Sequence, residues 1–330
     1  MMSASRIPTS DSGAPSTLAE CWFLTGATAA GKTTVGLELA ELLNAEIVSL
    51  DSMALYRGMN IGTAKPTLEQ QQRVPHHLLD VVDPTEEFSV SQYLSAAEAA
   101  VAEIRSRGRE PLFVGGTPLY LKTLLRGLFE GPPADWDFRR EVEAEAERVG
   151  LEALHRRLEQ VDPVTAARLH PHDKRRIIRA LEVYRQTGEP ISHLQLQFDE
   201  GETASRRRVF VLQWPRPELH RRIDERVSAM FAAGVVDEVR GLLAKYGSLG
   251  RTAAQAVGYR EVIDHLENHV DLNETIRRVQ ARTRQFARRQ ETWFRSLSEC
   301  RFIPMQTGFD PRQVAEQIAA EGREVQLSSS

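Results

Sequence analysis

Cysteine is nearly absent from this chain of 330 residues, which has only Cys21 and Cys300. Two thiols so far apart in sequence cannot form a disulfide framework, and a structural zinc site made mainly of thiolates is excluded. That usage fits a reducing compartment, so a cytoplasmic location is expected. Long apolar runs are also lacking. None approaches the roughly 18–20 residues needed to cross a bilayer, so no membrane association is expected. The first twenty residues are rich in Ser, Thr, Ala and Pro and carry one basic residue, Arg6. They have neither the apolar centre of a secretory signal nor the charge of a transit peptide, so residues 1–20 read as a disordered tail.

Net charge is slight too. Forty-two Lys and Arg against 46 Asp and Glu leave −4, which taken alone argues against a nucleic-acid partner. The average conceals a polarity. Residues 1–204 carry 21 basic and 30 acidic side chains, residues 205–295 carry 18 and 11, and residues 296–330 carry 3 and 5. A like-charge segment is ordinarily a solvated face, but the basic excess here has a pattern. Arg277, Arg278, Arg282, Arg284, Arg288, Arg289 and Arg295 fall in one stretch with no lysine and one acid, Glu291. At about 100° per residue, Arg277, Arg284, Arg288 and Arg295 share a helical stripe, with Arg278, Arg282 and Arg289 beside it. Ile276, Val279, Phe286, Trp293 and Leu297 fall opposite, which predicts one buried face and one arginine face. Arginine suits phosphate clamping and base stacking better than lysine does. A second basic cluster, Lys174-Arg175-Arg176-Ile177-Ile178-Arg179, opens another helical stretch.

Along the chain, strand-like runs at 21–25, 46–50, 78–82 and 111–114 alternate with helical patterns, which implies a parallel sheet flanked by helices. From about residue 135 to 187 the spacing is helical throughout. A strand-like run at 209–212 then returns, followed by helices from 217 to 298. The predicted fold is α/β: a P-loop NTPase-like parallel sheet with an α-helical insertion domain and a helical C-terminal segment. The predicted divisions are the tail at 1–20, the first part of the core at 21–130, the insertion at 131–204, core completion with the basic helical segment at 205–322, and a short tail at 323–330.

Gly26-Ala27-Thr28-Ala29-Ala30-Gly31-Lys32-Thr33 matches G-x-x-x-x-G-K-[ST] between a strand and a helix, the context that motif requires. Backbone N–H groups at a helix N-terminus can surround a polyphosphate, and the helix dipole favours an anion there. Lys32 adds charge against the terminal phosphates, and the Thr33 hydroxyl suits magnesium. The motif by itself does not say which phosphate ester is held.

Further motifs carry a family resemblance. Asp51-Ser52-Met53-Ala54-Leu55-Tyr56-Arg57-Gly58-Met59-Asn60-Ile61-Gly62-Thr63-Ala64-Lys65-Pro66 follows the second strand. Later come Pro75-His76-His77-Leu78-Leu79-Asp80, Val114-Gly115-Gly116-Thr117-Pro118-Leu119-Tyr120, Arg179-Ala180-Leu181-Glu182-Val183-Tyr184, Val257-Gly258-Tyr259-Arg260-Glu261 and Arg288-Arg289-Gln290-Glu291-Thr292-Trp293-Phe294-Arg295. In this order the set resembles the tRNA dimethylallyltransferases, in their bacterial form, over about residues 21–297. Ala27 and Ala30 stand where the family usually has Pro and Ser, and Asn60 where Asp is usual. The zinc finger of eukaryotic relatives is absent.

The resemblance implies transfer of an isopentenyl group from dimethylallyl diphosphate to the exocyclic amine of the adenosine 3′ of the anticodon, with release of diphosphate. The phosphate loop would then hold prenyl diphosphate with Mg2+, and not the ATP suggested by the motif alone. Arg222 and Arg226 are one helical turn apart and share a face. Either could clamp the diphosphate, or both could be surface charges beside Asp224 and Glu225. Asp51 ends a strand at the carboxyl edge of the sheet, where open α/β folds place ligands, and is the candidate general base. A helix cap or a magnesium partner is its alternative role. Thr117 is expected to hydrogen-bond the adenine or the base, or to cap the next helix.

By the same resemblance, Asp51, Ser52, Met53, Ala54, Arg175, Arg176, Arg179, Gln255, Gly258, Tyr259, Arg260, Arg288, Arg289, Gln290, Trp293 and Arg295 form tRNA contacts, with Thr117 and Arg139 beside the flipped base. Tyr259 and Trp293 are stacking candidates, core packing being the competing role for Trp293. The partner is an anticodon stem-loop read through splayed bases, and a monomer is expected. Three other readings compete: a small-molecule kinase with the same loop, an adenylate isopentenyltransferase, and an RNA-binding switch that holds nucleotide only as a ligand.

Overall fold

The computed structural model describes residues 18–127, 131–195 and 206–329. Two compact units result: one joins the chain up to Leu125 with the chain from Glu202, and the other is Arg126–Gly201. The first unit opens with β1 (Trp22–Gly26), α1 (Lys32–Leu43), β2 (Ala45–Leu50), α2 (Leu68–Arg73), β3 (His76–His77), α3 (Val90–Ser106), β4 (Glu110–Gly115) and α4 (Pro118–Arg126). The second unit contains α5 (Trp136–Val149), α6 (Leu151–Val161), α7 (Pro163–Arg168), α8 (Lys174–Thr187) and α9 (Ile191–Gln195). The chain then returns through β5 (Val209–Gln213), α10 (Arg216–Ala232), α11 (Val235–Tyr246), α12 (Arg251–Ala254), α13 (Tyr259–Asn268), α14 (Leu272–Arg295), β6 (Cys300–Pro304) and α15 (Pro311–Ser329).

The six strands form one parallel sheet in the order β3-β2-β4-β1-β5-β6. Strands of such a sheet are covered on both faces, which is why β1 and β2 are buried throughout. Apolar side chains of α1, α10 and α15 cover one face, with Val35, Leu39, Leu219, Ile223, Ala315 and Ile318 among them. The other face is covered from α3 and α4 by Tyr93, Ala97, Ile104, Tyr120 and Leu124. Helix α14 serves both: Val279 and Ala287 join the first cluster and Phe294 the second.

Several expectations need correction. Residues 78–82 form no strand; only a Tyr56–Val82 bridge occurs there. Leu78 and Asp80 adopt φ of 60° and 54°, which breaks an extended run. Strand β6 was not anticipated, because a five-residue edge strand with one arginine and a terminal proline carries little signal. Helix α15 runs to Ser329 through the expected tail at 323–330. At the other end Leu18 and Ala19 are buried, so they are not tail; residues 1–17 lie outside the described residues. The division between units falls at Arg126 and Gly201, and not at 131 and 204. The buried face of α14 is Thr275, Val279, Ala287, Gln290 and Phe294. Phe286 and Trp293 are only half-buried, because the interior accepts two polar residues that a hydrophobicity pattern assigns to solvent.

The second unit is a small helical cluster with its own core, including Phe138, Val142, Leu154, Leu158, Ile177 and Leu181. Asp162, ahead of α7, and Glu182, on α8, are its buried charged residues, and Glu182 is fully buried. That carboxylate accepts from Asp135 N and from Arg139 Nε and Nη2, all at 2.8 Å, and from Arg179 Nη1 at 2.5 Å. Burial pushes its pKa up, but the hydrogen bonds from Arg139 and Arg179 prevail and hold it below the ordinary value. Removing one partner of a buried ion pair strands the other charge. Glu182→Ala is therefore expected to destabilise this unit by about 3–5 kcal/mol, read as an earlier loss of helical circular dichroism in urea.

Candidate active site

Strand β1 delivers the chain into the 26–33 loop at the carboxyl end of the sheet, and α1 carries it away. The loop is held by its carbonyls. Trp214 Nε1 donates to Ala30 O at 2.9 Å, Arg222 Nε to Ala29 O at 2.9 Å, and Lys32 Nζ to Gly26 O and Ala27 O at 3.1 and 2.8 Å. Ala29 sits in the left-handed region at φ 63°, a conformation that costs a non-glycine residue roughly 1–2 kcal/mol. The amides of Gly31, Lys32 and Thr33 have no acceptor among the described residues. They are the orphan donors of a helix N-terminus, available to an anion.

Strands β2 and β4 bring the second half of the site. Gly115 lets them close: a Cβ there would lie 2.1 Å from Leu50 O. Thr117 N then donates to Leu50 O at 3.1 Å, and the Thr117 hydroxyl accepts from Ser52 N at 3.1 Å. Asp51 Oδ1 accepts from Met53 N and Ala54 N at 2.8 and 3.3 Å, which ties the turn after β2. Its Oδ2 makes no bond to a described residue. Gly116 lies close to the phosphate loop, since a Cβ on it would be 3.4 Å from Lys32 Nζ and 2.7 Å from Gln290 Nε2. Gln290 fastens the two halves: its Oε1 accepts from Thr28 N at 2.9 Å, and its Nε2 donates to Gly116 O at 2.6 Å.

The electrostatics are unbalanced. Burial drives the Lys32 amine down to about 7, the positive charge of Arg226 pushes the same way, and Asp51 opposes both. Arg226 is likewise lowered by burial, with Asp51 again opposing. Two cations therefore face one carboxylate, an arrangement that a bound anion would relieve. Arg222 stands apart from this group. Its guanidinium lies 4.2 Å from the Trp214 ring centroid and 5.8 Å from that of Phe309, and its Nε is committed to the loop carbonyl. Of the two arginines, Arg226 lies within electrostatic range of Lys32 and Asp51, while Arg222 braces the loop.

The residues assigned to RNA contact fall into distinct settings. Ser52 lies at the site beside Thr117, and Met53 is half-buried. Arg288, Arg289 and Arg295 are exposed and make no ion pair with a described residue. Gln255 and Arg260 are exposed, and Trp293 is half-buried. Other stripe arginines are occupied: Arg277 and Arg278 by Glu274, Arg282 by Glu261, and Arg284 by Asp224. Gln290, Gly258, Tyr259 and Ala54 are buried and so are not surfaces in this structure. Tyr259 donates to Glu238 Oε1 at 2.6 Å, and Glu238 also accepts from the amides of Asn60, Ile61 and Gly62. This carboxylate anchors the 60–62 turn; nothing in its local sequence marks it. In the second unit Arg175 and Arg176 are exposed, whereas Arg139 and Arg179 are bound to Glu182.

A family model described as IPP transferase matches residues 54–297. A tRNA dimethylallyltransferase of Rhodopirellula baltica is 53% identical over 84% of this chain and 86% of its own length. The crystal structure of a full-length tRNA isopentenylpyrophosphate transferase from Bacillus halodurans is 36% identical, with a TM-score of 0.67 over 94% of this chain and 99% of that one. A eukaryotic dimethylallyltransferase acting on tRNA superposes with a TM-score of 0.74 at 26% identity, covering 91% of this chain and 77% of its own.

The lowered Lys32 amine is a measurable feature. Above about pH 7 it is mostly neutral in the free protein, and a bound anion raises it again, so binding takes up a proton. Calorimetry with inorganic diphosphate, in buffers of different ionisation enthalpy, is expected to show this uptake above that pH. The uptake should fade at lower pH and be missing in Lys32→Met.

Proposed function

We propose that this chain, which belongs to the IPP transferase family, transfers a dimethylallyl group from dimethylallyl diphosphate to tRNA. The acceptor in this reading is the exocyclic amine of the adenosine 3′ of the anticodon. The observation that carries it is the meeting, at the ends of β1, β2 and β4, of a phosphate loop, two half-buried cations and one carboxylate. The loop and cations suit a diphosphate, and the carboxylate suits a nucleophile that must lose a proton. The kinase and adenylate readings could use the same loop and carboxylate, but they leave the likeness to tRNA-modifying enzymes over most of the chain unexplained.

In the reaction the allylic carbon–oxygen bond breaks and diphosphate departs with the bonding electrons. The adenine amine forms the new carbon–nitrogen bond and gives up a proton. Amides of the first turn of α1, Lys32 and Arg226 take the charge that develops on the leaving group. Asp51 Oδ2 accepts the proton, while Oδ1 stays bound to the turn amides and fixes the carboxylate. The Thr117 hydroxyl, held at the end of β4, is placed to orient the base or Asp51. Magnesium fits this donor set. Among the described residues the Thr33 hydroxyl has no partner, and no group of three or more His, Cys, Asp or Glu forms a metal cage. The ion would thus be held by Thr33 and by diphosphate oxygens, and when bound it would neutralise leaving-group charge. Action as a monomer in the cytoplasm belongs to the proposal as well.

Incubation with dimethylallyl diphosphate, magnesium and tRNA is expected to add one isopentenyl unit to the adenosine, read by nucleoside mass spectrometry. Gain on free AMP alone, or phosphate transfer from ATP, would overturn the reading. Asp51→Asn keeps an acceptor for the Met53 and Ala54 amides but removes the base. It should lower turnover by about 10²–10⁴-fold, with tRNA affinity nearly unchanged.

The exposed arginines at the end of α14, which pair with no described residue, suit RNA phosphates. Arg288→Ala should weaken tRNA binding and reduce the slope of log affinity against log salt by about one. An unchanged slope would remove that arginine from the RNA surface.

A further inference from the structure

Trp136 is a large apolar side chain left largely in solvent. It is the first residue of α5 and is 52% exposed, whereas Trp22 and Trp214 are buried and Trp293 is half-buried. Its ring is not idle. The Arg139 guanidinium lies over it at 4.9 Å from the centroid, one helical turn along the same face. That guanidinium cannot swing away, because Nε and Nη2 are both held by the fully buried Glu182. Arg179 is fixed to the same carboxylate, and its Nη2 donates to Pro132 O at 3.0 Å in the segment leading to Trp136. Asp135 caps the helix through Phe138 N at 3.0 Å. An indole and two guanidinia are thus immobilised together on one patch of the second unit.

We propose that Trp136 and Arg139 form a stacking platform for an unpaired base of the RNA substrate. The inference rests on the tRNA reading above and adds Trp136 to the Arg139 contact that the family resemblance implies. A half-exposed indole offers a π-face to any base, and stacking on aromatic or arginine planes is how proteins engage unstacked loop nucleotides. The arginine adds attraction for the polyanion and for the base itself. Rigidity matters as much as chemistry. Since Glu182 and the Asp135 cap have already ordered the patch, little conformational freedom remains to be lost on binding. A protein partner would call for a wider apolar surface than a single indole set among charged groups.

The test uses the full chain and an anticodon stem-loop RNA with adenosines 3′ of the anticodon. Trp136→Ala should weaken binding about ten-fold, the scale of one base–aromatic stack. Because the indole carries no charge, the salt slope should match that of the wild type, and the affinity for inorganic diphosphate should be unchanged. Trp136→Tyr should retain most of the affinity. The stem-loop should quench wild-type tryptophan emission, and the quench should be largely lost in Trp136→Phe, a variant that keeps an aromatic ring if alanine unfolds the unit. Wild-type affinity in Trp136→Ala, or an undiminished quench in Trp136→Phe, would overturn the platform and leave the tRNA reading standing. Failure of the wild type to modify or bind tRNA would instead sink the reading beneath it.

Discussion

Two like charges, Lys32 and Arg226, sit half-buried within electrostatic range of each other with only Asp51 to offset them, and much of the first unit is arranged around that imbalance. Isolated, such a pair would be costly, since burial penalises both charged forms. The fold tolerates it by lowering the Lys32 amine toward neutrality and by tying Lys32 Nζ to two loop carbonyls. A multiply charged anion would restore the amine's proton and recover the missing attraction. The site is therefore complementary to a multiply charged anion, as electrostatic preorganisation requires.

Holding that arrangement takes more than the loop. Gln290 reaches from α14 to join Thr28 to Gly116, so the helix that carries the exposed arginines also sets the distance between the phosphate loop and the Thr117 turn. Arg288, Arg289 and Arg295 share that helix. A contact made by RNA on its outer face is thus one rigid element away from the reacting groups. Glu238 does a comparable task on the other side by gathering three successive amides of the 60–62 turn, while Arg226 Nη2 approaches the next carbonyl, Thr63 O, at 3.5 Å. The second unit uses a like device, one buried carboxylate ordering two arginines.

What could be read from the chain alone was whatever depends on neighbours in sequence. The strand–loop–helix of residues 22–43, the position of Asp51 just beyond a strand, and the turn to Thr117 are local patterns, and they stand where the spacing put them. The arginine stripe was legible as a composition but not as a surface. Four of its seven members are paired with acids: Arg277 and Arg278 with Glu274 in the first turn of α14, Arg282 with Glu261 of α13, and Arg284 with Asp224 of α10, a partner sixty residues away that sequence cannot show. Gln290 and Tyr259 show what a motif leaves open, since both are buried here. Polar or polar-tipped side chains inside recognisable motifs suggested contact with a substrate, yet both are interior struts.

The sequence by itself determined the alternation of β1, β2, β4 and β5 with helices, the phosphate loop, the candidate base and the polarity of charge, because periodicity, turn residues and composition act over short ranges. Only the tertiary structure decided which charges remain free. Burial and ion pairing depend on what packs opposite a residue: Glu182 claims Arg139 and Arg179, Glu238 claims the 60–62 turn, and Asp51 is left to face two cations. It also decided that Trp136 stays in solvent under a fixed guanidinium, since exposure belongs to a surface and is not written in any one residue.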